Sequence, residues 1–87
     1  MGITRAEFLR LLPVAIGNSD YRIEDERAAG EHEGRAWSIT FVEKPPRRIA
    51  QIALPVLEVT IALPNASEHE HATFVERFLR AYQRAGG

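Results

Sequence analysis

Two helix-entrance signatures, one near each end, partition these 87 residues before any other signal is read. Thr4-x-x-Glu7 and Ser67-x-x-Glu70 both fit the capping box, in which a hydroxyl and a carboxylate satisfy the free backbone donors of a first helical turn. Ile3 and Phe8 stand at the hydrophobic-staple positions around the first box. Behind it, Phe8, Leu9, Leu11, Leu12 and Ile16 recur near the helical period, which predicts a helix from about Arg5 to about Ile16, stopped by Gly17-Asn18. Pro13 lacks a backbone donor and is expected to kink that helix or end it early. Behind the second box, Phe74, Val75, Phe78, Leu79 and Tyr82 recur in the same way. Glu68 and Glu70 in its first turn, and Arg80 and Arg84 in its last, complement the helix dipole, and Gly86 stands where a C-cap belongs.

Between the helices the period changes from 3.6 to 2. Tyr21 and Ile23 alternate with Arg22 and Glu24, predicting a strand over Tyr21–Asp25, and the polar stretch Glu26–Gly34 reads as a turn. From Arg35 to Glu43 a heavy face (Trp37, Ile39, Phe41) alternates with a light one (Ala36, Ser38, Thr40, Val42). Lys44-Pro45-Pro46-Arg47 reads as the next turn. Arg48–Leu63 then stays strand-like, with odd-numbered Ile49, Leu57, Val59, Ile61 and Leu63 in phase. That parity favours one long strand bent or bulged at Pro55, with two strands separated there as the alternative. The expected fold is a single α+β domain over residues 1–87, ordered α-β-β-β-α. It has an antiparallel three-stranded meander with both helices packed on the heavy face and the light face open.

Composition narrows function mainly by exclusion. With 45% hydrophobic and 26% charged residues the chain has a globular make-up. A domain this small needs nearly all its large apolar side chains for its core, which leaves little for a deep substrate pocket. The net charge of −1 supplies no field that would draw nucleic acid or an anionic membrane. Ten of the 11 basic residues are Arg, with Lys44 the sole Lys, a bias that reads as a GC-rich bacterial genome. The absence of Cys removes disulfides, thiolate catalysis and thiolate metal sites, and suits a cytoplasmic protein. No apolar run approaches the ~20 residues of a membrane span.

Candidate chemistry is sparse. His69-Glu70-His71 and the distant His32 have metal-binding side chains, but histidines two apart on a helix point to different sides, so no metal or other cofactor is expected. Ser19, Ser38, Ser67 and Lys44 each have a structural role, and Glu24, Asp25, Glu26, Glu31 and Glu33 crowd one polar hairpin, so no catalytic residue is assigned. Lys44, Arg47 and Arg48 form a basic, proline-stiffened segment suited to an anion or nucleic acid. The α-β-β-β-α order resembles that of double-stranded-RNA-binding domains. Those domains carry a lysine-rich start to the last helix, where this chain has Ser67-Glu68-His69-Glu70-His71. Gly86-Gly87 resembles the tail of ubiquitin-like sulfur carriers, which implies a carboxylate at Gly87 open to activation.

Length mismatch carries the leading expectation. A strand of sixteen residues beside one of nine leaves ~20 Å of backbone unpaired, chiefly Val56–Leu63, where β-propensity is highest. Such an edge needs a cover, either another strand of the same chain reached by a bend at Pro55 or a second subunit, commonly a two-fold partner. The sequence is therefore read as a non-enzymatic accessory or interaction protein, self-associating as a homodimer through the long strand or the open face. The contact candidates are Val56, Glu58, Val59, Thr60, Ile61 and Ala62, with Lys44, Arg47, Arg48 and Gly87 for the two alternatives.

Overall fold

The computed structural model describes residues 1–32 and 34–85, with six elements in the order α1 (Arg5–Ile16), β1 (Tyr21–Glu24), β2 (Arg27–His32), β3 (Arg35–Ile49), β4 (Ile52–Ala62) and α2 (Glu68–Ala85). The expected C-cap at Gly86 lies outside the described residues. Both helices begin where their capping boxes place them. The Thr4 hydroxyl accepts from the Glu7 amide at 3.2 Å. At α2 the exchange is reciprocal, Ser67 Oγ accepting from the Glu70 amide and Glu70 Oε1 from the Ser67 amide, each at 3.2 Å. Pro13 does not shorten α1, because the helix ends within a turn of it. Gly17, in the left-handed region at φ +94°, donates back to the Pro13 carbonyl and closes the end.

The class is α+β as expected, but the sheet is an antiparallel meander of four strands, β1-β2-β3-β4. The stretch Glu26–Gly34, expected as a turn, holds β2. Its residues are light because its neighbours are heavy. Ala28 pairs with Ile23 and Ile39 and is fully buried, and Gly30 pairs with Tyr21 and Trp37. A Cβ on Gly30 would lie 3.0 Å from both the Trp37 indole and Tyr21 Cβ, so glycine there lets the two rings meet edge-on at 5.7 Å. The actual turn is Asp25-Glu26, with Asp25 at φ +50°.

A second correction concerns the prolines. Lys44-Pro45-Pro46-Arg47 is not a turn, and Arg48–Leu63 is not one strand. β3 runs on to Ile49, the chain reverses at Ala50-Gln51 with Ala50 at φ +55°, and β4 returns. The register shifts by one residue between Lys44↔Val56 and Arg47↔Leu54, a β-bulge that leaves Pro45 and Pro46 opposite Pro55. The expected unpaired excess therefore has a partner: Val56–Ala62 pairs residue for residue with Ser38–Lys44. With four strands, the order no longer matches the double-stranded-RNA-binding arrangement.

Both helices cover one face of the sheet. Phe8, Leu12 and Ile16 of α1 and Phe78 and Tyr82 of α2 bury against Ala28, Trp37, Ile39, Phe41 and Leu57. Phe8 is central, with its ring stacked on Tyr82 at 5.2 Å and tilted against Phe41 at 5.1 Å and Phe78 at 6.1 Å. The Tyr82 hydroxyl donates to the Phe8 carbonyl at 2.7 Å, joining the helices. Burial first, and then the nearby Tyr21, raise the Tyr82 phenol well above its ordinary value of 10.0. The unfolded chain loses this proton before the folded one does. Stability from this group is thus complete below about pH 10 and is lost as pH rises beyond it. Tyr82→Phe should cost about 1 kcal/mol at neutral pH and flatten the alkaline limb of the melting temperature, as thermal melts between about pH 7 and pH 11 will check.

Candidate interaction site

Beyond Leu57 the β3–β4 hairpin leaves the helices behind. Every residue from Glu43 to Pro55 is exposed, and the molecule measures 46 × 25 × 19 Å. Its radius of gyration is 13.7 Å, against about 12 Å for a compact chain of this length. The hairpin is an arm, and its outer part supplies no buried side chain to the core.

Alternation along the strands decides what the arm presents. On the body, even-numbered β3 and β4 residues face away from the helices: Ser38 pairs with Ala62, Thr40 with Thr60, Val42 with Glu58 and Lys44 with Val56. The bulge reverses the phase of β3 and leaves that of β4 intact. Arg47 and Ile49 therefore join Leu54 and Ile52 on this same open face, while Arg48 goes to the other side with Ala53. Ile49, Ile52 and Leu54 are 51%, 61% and 42% exposed and make an apolar tip continuous with Val56 and Val42. From Lys44 to Leu57 the chain has three of its 11 basic residues and none of its 12 acidic ones, leaving the rest with an excess of four carboxylates.

The expected contact residues divide accordingly. Lys44, Arg47, Val56, Glu58, Thr60 and Ala62 share the open face, and Lys44 Nζ lies 3.7 Å from Glu58 Oε2. Arg48 lies on the opposite side of the arm, so the three cations do not converge on one anion. Val59 and Ile61 pack against the core instead. Gly87 lies outside the described residues. Ile49, Ile52 and Leu54 were not among the candidates. Their common face follows only from the one-residue phase shift at the double proline.

The outer edge of β4 is covered at several points. Met1 and Leu57 exchange bonds in both directions, Met1 N donating to Leu57 O at 2.5 Å and Leu57 N to Met1 O at 2.7 Å. Pro55, in phase with Leu57, turns its donorless nitrogen to that edge. Beside Ile61 the edge carbonyl has His71 Nε2 at 3.5 Å, within donor reach when that nitrogen carries the proton. These features oppose strand addition and leave the face as the available surface.

At the opposite end of the body a cleft of about 400 Å³ brings His32 and His69 to a common lining with Arg35, Trp37, Glu70 and Arg77. Arg35 pairs with Glu70, and Thr73 donates its hydroxyl to the His69 carbonyl at 2.9 Å. The Trp37 Nε1 is buried without a hydrogen-bond partner. His71 turns instead to β4, as the two-residue spacing implies. Among the described residues, no group of three or more His, Asp or Glu side chains is placed to hold a metal ion. Among the same residues, no helix is long and apolar enough to cross a membrane.

Compared with protein-family models, curated proteins and solved structures, the chain has no match in any of the three.

Because the arm tip is exposed and Leu57 is fully buried, the two should respond differently to truncation. Ile52→Ser should change unfolding free energy by no more than about 0.5 kcal/mol, whereas Leu57→Ala should cost about 2–5 kcal/mol, measured by urea denaturation at low protein concentration.

Proposed function

We propose that this chain is a non-catalytic interaction protein that self-associates, with the open face of the β3–β4 arm as its contact surface. The observation that carries this reading is the apolar tip of Ile49, Ile52 and Leu54, held on one side of a hairpin that gives nothing to its own core. A two-stranded ribbon is marginal in water by itself. Extending one beyond the body, with its apolar residues gathered on one side by a bulge, is accounted for when that side is covered. The covered β4 edge supports face packing over strand addition, and the dispersed cations weigh against an anion site at Lys44, Arg47 and Arg48. No observation within the described residues favours the Gly86-Gly87 carrier reading.

Sedimentation equilibrium tests it. The wild-type chain should shift toward twice its 9.8 kDa mass with a dissociation constant at or below about 100 μM. An Ile49→Ser, Ile52→Ser double variant should remain monomeric with an unchanged far-ultraviolet spectrum. A wild-type monomer throughout that range would overturn the proposal.

A further inference from the structure

We infer that the cleft between the start of α2 and the outer end of the β2–β3 hairpin binds a small monocarboxylic acid with an apolar body. Arg77 and His69 hold the carboxylate, and the body lies on Phe74 and Trp37. The site is remote from the arm and does not depend on the self-association read there.

The cleft exists because three elements end around it. α1 gives it only its last two residues, Ala15 and Ile16, before Gly17 stops the helix. Past that end, the paired residues His32 and Arg35 carry the β2–β3 hairpin onward. The first turn of α2 stands across from them, joined by the ion pair of Arg35 with Glu70. The space so enclosed is about 400 Å³, at the lower end of the ~300–1,000 Å³ of small-molecule sites.

Helical spacing arranges one wall. His69, Thr73 and Arg77 fall in one i, i+4 row of α2, and Glu70 and Phe74 in the next, so a ring sits beside both donors. Phe74 packs against the core, and Ile16 and Trp37 belong to it, which makes the floor apolar. The rim is cationic by subtraction. Glu70 is the single carboxylate among the described lining residues, and both its oxygens are engaged, Oε1 by the Ser67 amide and Oε2 by Arg35. Arg77 is exposed and has no ion pair among the described residues.

One uncompensated guanidinium over an apolar floor selects a ligand with one negative charge and an apolar body. A guanidinium grips a carboxylate through two parallel bonds, and the His69 imidazole carries an N–H in either tautomer. An amine would meet like charge, and an alcohol would leave Arg77 unused. Inorganic phosphate has no apolar body to cover the floor. The Trp37 Nε1 is buried without a hydrogen-bond partner, so a residue lining the cleft lacks the kind of acceptor that a carboxylate supplies.

Trp37 is the sole tryptophan, so its fluorescence reports on the cleft. Hexanoate should change that emission saturably with a dissociation constant at or below about 1 mM, and calorimetry should return the same value. Hexan-1-ol, hexylamine and inorganic phosphate should each bind at least about tenfold more weakly. Arg77→Gln should weaken hexanoate at least about tenfold, while Arg77→Lys, which keeps the charge and loses the fork, should fall between that variant and wild type. Arg80→Gln, on the same helix and outside the cleft, should change the constant by less than about twofold. Circular dichroism should show the fold kept in each. The Ile49→Ser, Ile52→Ser double variant should bind hexanoate as wild type does, so loss of self-association and loss of the ligand are read separately. No saturable signal by either method up to about 20 mM hexanoate would overturn the inference. So would hexan-1-ol binding as tightly as hexanoate, phosphate binding more tightly, or an Arg77→Gln variant that binds unchanged.

Discussion

Tyr82 reaches across 74 residues to the Phe8 carbonyl while its ring stacks on the Phe8 ring, and the body is arranged around that contact. It fixes α2 to α1 by one directional bond and one extended apolar surface. Phe41 and Phe78 then pack on Phe8, and through Phe41 the helix pair is seated on the sheet. Arg5 closes the margin, its guanidinium 5.5 Å over the Phe41 ring and donating to the Asp25 carbonyl at 2.5 Å. Two helices can cover only a limited length of sheet. Since the core residue furthest along β4 toward the arm is Leu57, the hairpin beyond it is free of the body's packing demands.

Sequence reading succeeds where the signal is local and chemical. The capping boxes locate both helices, and the heavy face of Trp37, Ile39 and Phe41 is the face that the helices bury. It fails where a residue's role is set by a neighbour remote in sequence. Ala28 and Gly30 look like turn residues in isolation, and only the bulk of Trp37, Ile39 and Tyr21 beside them explains a strand of small residues. The reading of Lys44-Pro45-Pro46-Arg47 as a turn has the same origin, whereas the expected continuation of the strand through Pro55 holds within β4. Proline interrupts a strand only when its nitrogen faces a ladder bond, and Pro55 faces the outer edge while Pro45 and Pro46 share a bulge. The true reversal at Ala50-Gln51 has neither glycine nor asparagine to announce it.

The candidate surface was partly legible for a related reason. Lys44, Arg47 and Val56 could be nominated from composition and β-propensity alone. Separating them from Val59 and Ile61, which face the core, needs the register, and adding Ile49, Ile52 and Leu54 needs the bulge. An expected excess of unpaired backbone turned out to be a paired hairpin. The feature in want of a partner is therefore the hairpin's face, with its edge already covered by Met1 and Pro55.

The bulge also separates two kinds of change that mutation can bring to this chain. Its single surplus residue switches the open face of β3 from even to odd sequence positions, and no core side chain lies beyond it on either strand. Deleting one of the two prolines would remove the bulge and leave Arg47 opposite Leu54 and Ile49 opposite Ile52, on the same open face, with the buried residues and their pairings in place. The identity of the presented surface is thus held by the Arg47↔Leu54 and Ile49↔Ile52 pairs, decoupled from the packing that keeps the protein folded. A one-residue deletion at the prolines is absorbed by the ladder, and it is substitution of the face residues themselves that retargets the arm.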